Sequence, residues 1–306
     1  MLDEAAVVVA ADEAVARALA EDLDVPVDAT PAVRRAADVT AGATVPADLP
    51  GEASLIARAD GTVAGCDLVA RVFAAVDPSV EVVLDVTDGQ RVTRGDVLGR
   101  ITGPLASVLA GERTALNFLT HLSGVATRTR AFADAVAGTG CVVRDTRKTT
   151  PGLRLLEKAA VRAGGGVNHR VGLWDALLVK DNHIAAAGGV AEATRRALAA
   201  AGDRNVQVEV TSIAELDAAV AAGARDVLLD NFTPEGCAAA VAHLAAGASA
   251  DRVLLEASGT IRLDTVAAYA ASGVDRVAVG GLTHSAPQLD IALDVRAVGH
   301  SSPAEA

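Results

Sequence analysis

The most constraining feature of this chain begins after Gly140, where short apolar runs alternate with Ala-rich segments of helical spacing every ~20 to 30 residues, the rhythm of repeated βα units. The runs are Cys141–Arg144, Ala176–Val179, Val206–Val210, Asp226–Leu229, Arg252–Leu255 and Arg276–Val279. Between them, Val190–Ala201, Ile213–Ala222, Pro234–Leu244 and Leu263–Ala271 have the composition and period of helices. Parallel strands joined by covering helices fold as an α/β barrel or a doubly wound sheet. Six runs are fewer than a closed barrel of about eight strands needs, so incomplete closure or an irregular strand is expected.

The first third of the chain reads as α+β. Ala5–Leu23 is Ala-rich with helical spacing, and Ser54–Ala59, Thr62–Ala64, Glu81–Val86 and Asp96–Ile101 alternate or run apolar between turns such as Asp60-Gly61 and Asp88-Gly89. This predicts an antiparallel sheet with flanking helices. From Pro104 to Ala137 long helices are expected, with Leu105, Leu109, Leu116, Leu119 and Leu122 near one face. Pro151-Gly152 then turns the chain into a helical segment, Leu153–Arg162.

Polar or special residues close nearly every apolar run of the second part: Asp145 with Arg147 and Lys148, then Lys180, Glu209, Asp230, Glu256 with Ser258 and Gly259, and Gly280 with Gly281. In a parallel barrel such positions converge on one rim, where active sites are built. Arg147, Lys148, His169, Arg170 and Lys180 form the expected core of an anion site, since Arg offers paired donors to a planar carboxylate and Lys a point charge to phosphate. The run Gly164–Gly166 lets backbone approach a ligand closely. The competing reading is a salt-bridged loop in which Asp145, Glu157 and Asp181 absorb part of that charge.

Glu209 and Asp230 suit a divalent cation, bound directly or through water, or hydrogen bonds from sugar hydroxyls. Beside the cations they suggest Mg²⁺ with a phosphorylated sugar. Ala257-Ser258-Gly259-Thr260 and the segment Gly280–Ser285 match the late-strand phosphate sites of barrel enzymes. His284 is placed at the edge of that site, and His121 and His243 are read as structural, because no His is paired with a nucleophilic Ser or Cys.

Composition narrows the partners. A formal charge of -12 argues against nucleic acid or an anionic membrane surface. Lys occurs only at 148, 158 and 180, and the confinement of all three to one segment points to a functional constraint there. Cys66, Cys141 and Cys237 are odd in number and lack Cys-x-x-Cys spacing, so buried thiols are expected rather than disulfides or zinc. Trp174 and the four Phe are too scattered for a base-stacking surface and are assigned to the core. The longest apolar runs fall short of the ~20 residues of a membrane span, and no basic-then-apolar segment opens the chain, so a cytoplasmic location is expected.

Taken in order, Glu112–Asn117, Leu122–Thr127, Asp145–Gly152, Gly164–Arg170, Lys180–His183, Val208–Val210, Leu229–Phe232, Leu255–Gly259 and Leu282–Ser285 resemble quinolinate phosphoribosyltransferase, the decarboxylating nicotinate-nucleotide pyrophosphorylase family. The resemblance implies an N-terminal α+β open-faced sandwich, residues 1–113 completed by 285–306, and an incomplete α/β barrel over residues 114–284. It implies transfer of phosphoribose from phosphoribosyl pyrophosphate to quinolinate with loss of CO₂, giving nicotinate mononucleotide and pyrophosphate in NAD synthesis. It further implies a homodimer or dimer-based hexamer in which Arg113 enters the neighbouring site. Arg147, His169 and Arg170, with Arg113, would hold the quinolinate carboxylates. Lys148, Lys180, Glu209 and Asp230 would form the catalytic set on the sugar donor and its Mg²⁺, with Ser258, Gly259, Gly280, Gly281 and His284 around the 5′-phosphate.

Three positions depart from the family pattern: Val27-Asp28-Ala29-Thr30 stands for Gly-Asp-x-Thr, Thr211 replaces an acidic residue after Glu209, and Ala257 replaces a Ser. Two other readings remain open at this level, a paralogue acting on another acceptor and a phosphate-ligand binding barrel without turnover.

Overall fold

Alternate residues of Pro50–Ala57 are small or aliphatic, and in the computed structural model, which describes residues 3–247 and 252–298, Gly51, Ala53, Leu55 and Ala57 form the buried side of strand β1 (Pro50–Ala57). β1 lies in an antiparallel sheet of order β12-β1-β5-β3, with β3 at Glu81–Leu84, β5 at Val97–Pro104 and β12 at Ile291–Ala297. The β1–β12 register runs from Gly51 opposite Ala297 to Ala57 opposite Ile291. Two short strands, β2 (Gly61–Thr62) and β4 (Arg91–Val92), pair separately.

This sheet belongs to a first unit, comprising the chain as far as Arg128, Thr150–Gly164, and the segment from Ser285 onward. Its helices are α1 (Glu4–Leu23), α2 (Pro31–Ala36), α3 (Val39–Thr44), α4 (Cys66–Val76), α5 (Leu105–Ala135, as far as Arg128) and α6 (Arg154–Ala163). Asp3 caps α1 by accepting from Ala5 N, and Asp24 ends it in the left-handed region. Ala11, Ala14, Val15 and Leu19 recur at helical spacing as the buried stripe of α1. It packs on α4, which buries Leu68, Val69, Val72, Phe73 and Val76.

The second unit, Thr129–Thr149 with Gly165–His284, holds a parallel sheet of six strands. They are β6 (Val142–Arg144), β7 (Ala176–Val179), β8 (Asn205–Val210), β9 (Asp226–Asp230), β10 (Leu254–Ser258) and β11 (Arg276–Ala278). Among them run α7 (Asp181–Ala187), α8 (Val190–Ala200), α9 (Ile213–Ala221), α10 (Pro234–Ala246), α11 (Val266–Ala271) and α12 (Gly281–His284). The spatial order β6-β11-β10-β9-β8-β7 never reverses from β7 to β11, which is barrel winding rather than the switched order of a doubly wound sheet. β6 and β7 remain as edges, so the barrel is open, and one isolated bridge, Arg144 with Val167, extends the β6 edge.

Val210, Leu229, Ala257, Val277 and Val143 stand at one level of the sheet and are all buried. Polar residues one position away on the same strands, Glu209, Glu256, Arg276 and Arg144, leave by the opposite face.

Several expectations need correction. Within Pro104–Ala137 there is one helix of 31 residues, Leu105–Ala135, rather than several. Trp174 is not in the core: it is 73% exposed, beside Leu173 at 74%. Cys66 is only half-buried, although Cys141 and Cys237 are buried as expected. β10 starts at Leu254, later than the apolar run from Arg252, and continues through Glu256 to Ser258. Among the described residues, no helix is long and apolar enough to cross a membrane.

Candidate active site

The carboxyl ends of the second unit's strands carry the predicted polar residues. β6 leads into Asp145, Thr146, Arg147 and Lys148, and β7 into Lys180. Glu209 and Asp230 lie at the ends of β8 and β9. Glu209 pairs in register with Leu228 and Asp230 stands two residues further on, so both carboxylates leave the same face of the sheet. Asp230 in turn pairs with Ser258, and Ser258 with Ala278.

Gly259 follows Ser258 with φ +107, and a Cβ there would lie 2.2 Å from Asn231 Oδ1, so only glycine lets these two strand ends meet. Asn231 N donates to Ser258 O at 2.8 Å, joining the loops. Gly280 opens a second cradle: a Cβ at this position would face Lys148 Cδ at 3.1 Å, His284 Nε2 at 3.3 Å and Thr146 Oγ1 at 3.5 Å. Thr283 Oγ1 donates to Lys148 O at 2.7 Å and binds the two segments. Lys148, Gly280 and His284 are thus brought together.

The charges of the Asp145–His183 segment are disposed unequally. Lys180 Nζ donates to Glu209 Oε2 at 2.6 Å. Among the described residues Arg147 makes no ion pair, and the Nε atoms of both Arg147 and Arg170 are buried without a hydrogen-bond partner. Arg170 Nη1 donates to the Ala176 carbonyl at 3.1 Å. Burial, and then the neighbouring Arg147 guanidinium, hold Arg170 below the usual arginine range, against Asp175, which raises it.

The acids invoked by the salt-bridged alternative are occupied elsewhere. Asp145 accepts from Asn168 Nδ2 at 2.7 Å and from His169 N at 2.6 Å. Glu157 receives His121 at 2.9 Å and Thr150 N at 3.1 Å, while Asp181 Oδ1 accepts from Asn182 N. Two neighbouring arginines whose buried Nε donors are left unsatisfied form a preorganised anion site.

His169 is buried, with Nε2 2.9 Å from Gln207 Oε1 and Nδ1 accepting from Arg170 N at 2.6 Å. Lys158 is fully buried in α6 of the first unit, and Lys148 and Lys180 follow strand ends of the second. Arg113 is exposed on α5 in the first unit. His183 Nδ1 accepts from Lys180 N at 2.9 Å and caps α7. Burial pushes the thiols of Cys141 and Cys237 up to about 11, so both are protonated at neutral pH.

Sequence reasoning misses one group of residues. Gln207, Asp226, Glu256, Arg276 and Arg144 meet on the inner face of the sheet. Their signal is present as polar residues two apart within apolar strands, but only Glu256 stands out, as a strand end.

An open α/β barrel whose rim gathers two neighbouring arginines with unsatisfied donors, a Lys–Glu pair, a second carboxylate and two glycine cradles defines an enzyme of small carboxylated and phosphorylated substrates. Comparison with known proteins gives the family. The Quinolinate phosphoribosyl transferase C-terminal domain matches residues 125–294 and the N-terminal domain residues 38–123. The chain is 45% identical over 288 residues to nicotinate-nucleotide pyrophosphorylase [carboxylating] of Mycobacterium leprae, covering 94% of this chain and 97% of that protein. It is 43% identical over 245 residues to the probable nicotinate-nucleotide pyrophosphorylase [carboxylating] of Bacillus subtilis, covering 80% and 83% of the two chains. The solved nicotinate-nucleotide pyrophosphorylase of Francisella tularensis superposes with a TM-score of 0.84 at 35% identity, over 94% of this chain and 96% of that one. This chain belongs to the quinolinate phosphoribosyl transferase family.

Proposed function

We propose that this chain transfers the phosphoribosyl group of phosphoribosyl pyrophosphate to the ring nitrogen of quinolinate and releases the 2-carboxylate as CO₂, giving nicotinate mononucleotide and pyrophosphate for NAD synthesis. The observation that carries the reading is the Arg147–Arg170 neighbourhood, two guanidinium groups that repel each other and whose buried Nε donors have no hydrogen-bond partner. Arg147 and Arg170 grip the two ring carboxylates, joined by Arg113 from a second copy of the chain in a homodimer. His169 shapes the same pocket. Lys148, Gly280, Gly281 and His284 receive phosphate together with Ser258 and Gly259.

The nitrogen attacks the anomeric carbon as pyrophosphate departs through an oxocarbenium-like transition state. Glu209 and Asp230 face the positive charge developing on the ribose, and Lys148 and Lys180 the negative charge on the leaving group. Loss of CO₂ leaves its bonding electron pair on C2, stabilised as an ylide by the adjacent quaternised nitrogen, and C2 then takes a proton from water, so no residue acts as a strong base.

A divalent metal fits the acidic side of the site. Among the described residues no cluster of three or more His, Cys, Asp or Glu forms a complete metal cage, but Glu209 and Asp230 leave the same sheet face. Two carboxylates completed by substrate phosphates and water are the usual setting for Mg²⁺. Bound there, Mg²⁺ supplies positive charge to the pyrophosphate oxygens. A cytoplasmic location belongs to the same proposal.

The test is release of labelled CO₂ from carboxyl-labelled quinolinate. It is expected to require both phosphoribosyl pyrophosphate and Mg²⁺. Turnover of nicotinate in its place, or binding without release, would replace this reading with a paralogous acceptor or a non-catalytic barrel.

A further inference from the structure

The polar cluster inside the open barrel joins the sheet interior to the loop that carries Arg170. Gln207 Nε2 donates to Asp226 Oδ1 and to Glu256 Oε2, both at 2.9 Å. Glu256 Oε2 also accepts from Arg144 Nη1 at 2.6 Å and lies 3.1 Å from Arg276 Nε. Asp226 pairs with Arg276 Nη2, and its other oxygen accepts from Asn205 Nδ2 at 3.0 Å. Two buried acids are thus matched by two arginines, and the cluster adds no net charge beneath the site.

The chemistry of the amide decides where the proton on the neighbouring imidazole sits. A carboxamide has two N–H donors and one oxygen. Both donors of Gln207 are directed at carboxylates, which can only accept, so Oε1 is the atom presented to His169. The 2.9 Å contact between Oε1 and His169 Nε2 therefore requires the proton to be on Nε2. On the other side of the ring, Nδ1 accepts Arg170 N–H at 2.6 Å, which a proton on Nδ1 would abolish. His169 N in turn donates to Asp145.

We propose that Gln207 is a positioning residue of the acceptor site: anchored by Asp226 and Glu256, it holds His169 as the neutral Nε2–H tautomer, and His169 fixes the main chain that carries Arg170. His169 then supplies no cation. The pocket's positive charge on this side comes from Arg147 and Arg170, and a neutral imidazole keeps a third charge away from two guanidinium groups that already repel. The residues facing the ring and its anchor include Asp145, Arg170, Asp226, Glu256, Arg144 and Arg276. Only the identity of what Arg170 binds rests on the phosphoribosyl-transfer reading.

The first measurement is the ring-¹⁵N NMR spectrum of the ligand-free protein at neutral pH, with the His169 signals assigned by their loss in His169→Asn. A protonated Nε2 and a bare Nδ1 are expected; a doubly protonated ring or an Nδ1–H tautomer overturns the proposal. The second is Gln207→Leu, which is expected to raise KM for quinolinate about tenfold while KM for phosphoribosyl pyrophosphate stays within about twofold. Equal rises in both constants, or a loss of folded protein with neither constant changed among the folded molecules, mean a merely structural role and overturn it. If Gln207→Leu does not fold, the native spectrum decides alone. Failure of the native protein to release CO₂ would remove the reaction but leave that spectrum as expected, so the two readings fail separately.

Discussion

Lys180 Nζ donates to Glu209 Oε2 at 2.6 Å, from the end of β7 to the neighbouring end of β8, and the two groups differ in exposure, 45% for the lysine and 12% for the glutamate. An ion pair open to water on one side contributes little to folding, ~1 kcal/mol or less. Its value lies in presenting a cation and an anion side by side at the rim.

Lys180→Met is therefore expected to lower kcat/KM for phosphoribosyl pyrophosphate by about 10²-fold, the scale of one lost electrostatic contact to developing charge. The melting temperature should shift by only a few degrees. Steady-state kinetics with a thermal melt of the same variant checks both; a large drop in melting temperature with normal kinetics would make the pair structural.

Arg147→Ala removes a guanidinium group that has no ion pair among the described residues, and kcat/KM for quinolinate is expected to fall by about 10²- to 10³-fold, the worth of a paired, charge-assisted contact. Arg147→Lys restores the charge without the fork and should recover only part of this. Near-normal kinetics in Arg147→Ala would contradict the assignment.

Gly259→Ala places a methyl against Asn231 Oδ1 at a left-handed backbone position. The rim loop must shift, and KM for phosphoribosyl pyrophosphate is expected to rise at least about tenfold with a stability loss of about 1 to 3 kcal/mol. Urea unfolding and initial rates on the same preparation separate the two effects.

Asp77 sets an acid limb of stability in the first unit. Burial raises its proton affinity, but hydrogen bonds from Ser107 Oγ, Ser79 N and Oγ, and Arg35 outweigh burial and hold the carboxyl well below the usual range. A depressed folded-state value means that the stabilisation is fully present above the unfolded value near pH ~4 and is lost as pH falls through the folded one. The gap in unfolding free energy between native protein and Asp77→Asn is expected to be about 2 to 4 kcal/mol at neutral pH. Unfolding series from neutral pH downward should show that gap closing only below pH ~4.

Cys141 and Cys237, with thiols raised to about 11 by burial, are expected to resist iodoacetamide at neutral pH and to leave activity unchanged. Mass spectrometry after brief alkylation of the folded protein is the check.

The barrel is the most legible part of the chain because its strands are buried on the helix-facing side and therefore apolar. The run Ala176–Val179 matches its strand at both ends, and Val206–Val210 and Asp226–Leu229 match within one residue. The run at Arg252–Leu255 misplaces β10 because Glu256 and Ser258 face a polar interior, which breaks the apolar stretch that marks a strand. The same inner polarity hides Gln207. Its role depends on Asp226 and Glu256, brought to it by register across β9 and β10, and no local pattern encodes such a meeting. Helix α4 is absent from the sequence expectations although its apolar residues recur at helical spacing, and β12 is expected only from the family resemblance, because its pairing with β1 spans most of the chain. The rim cations are evident as residue types; that Arg147 lacks an acid while Lys180 has one depends on where Asp145, Glu157 and Glu209 turn in space.

The pairing of β12 with β1 also imposes an order on biosynthesis. Strands β1, β3 and β5 have all emerged once Pro104 has been made, yet the partner for the free edge of β1 is still roughly 190 residues away. At ordinary translation speeds that is a delay on the order of 10 to 40 s. Throughout it, an eight-residue edge of unsatisfied N–H and C=O groups is exposed on the nascent chain. The vulnerable period for aggregation is thus the interval of synthesis itself, and a slow codon tract or a stop before Ile291 would prolong it.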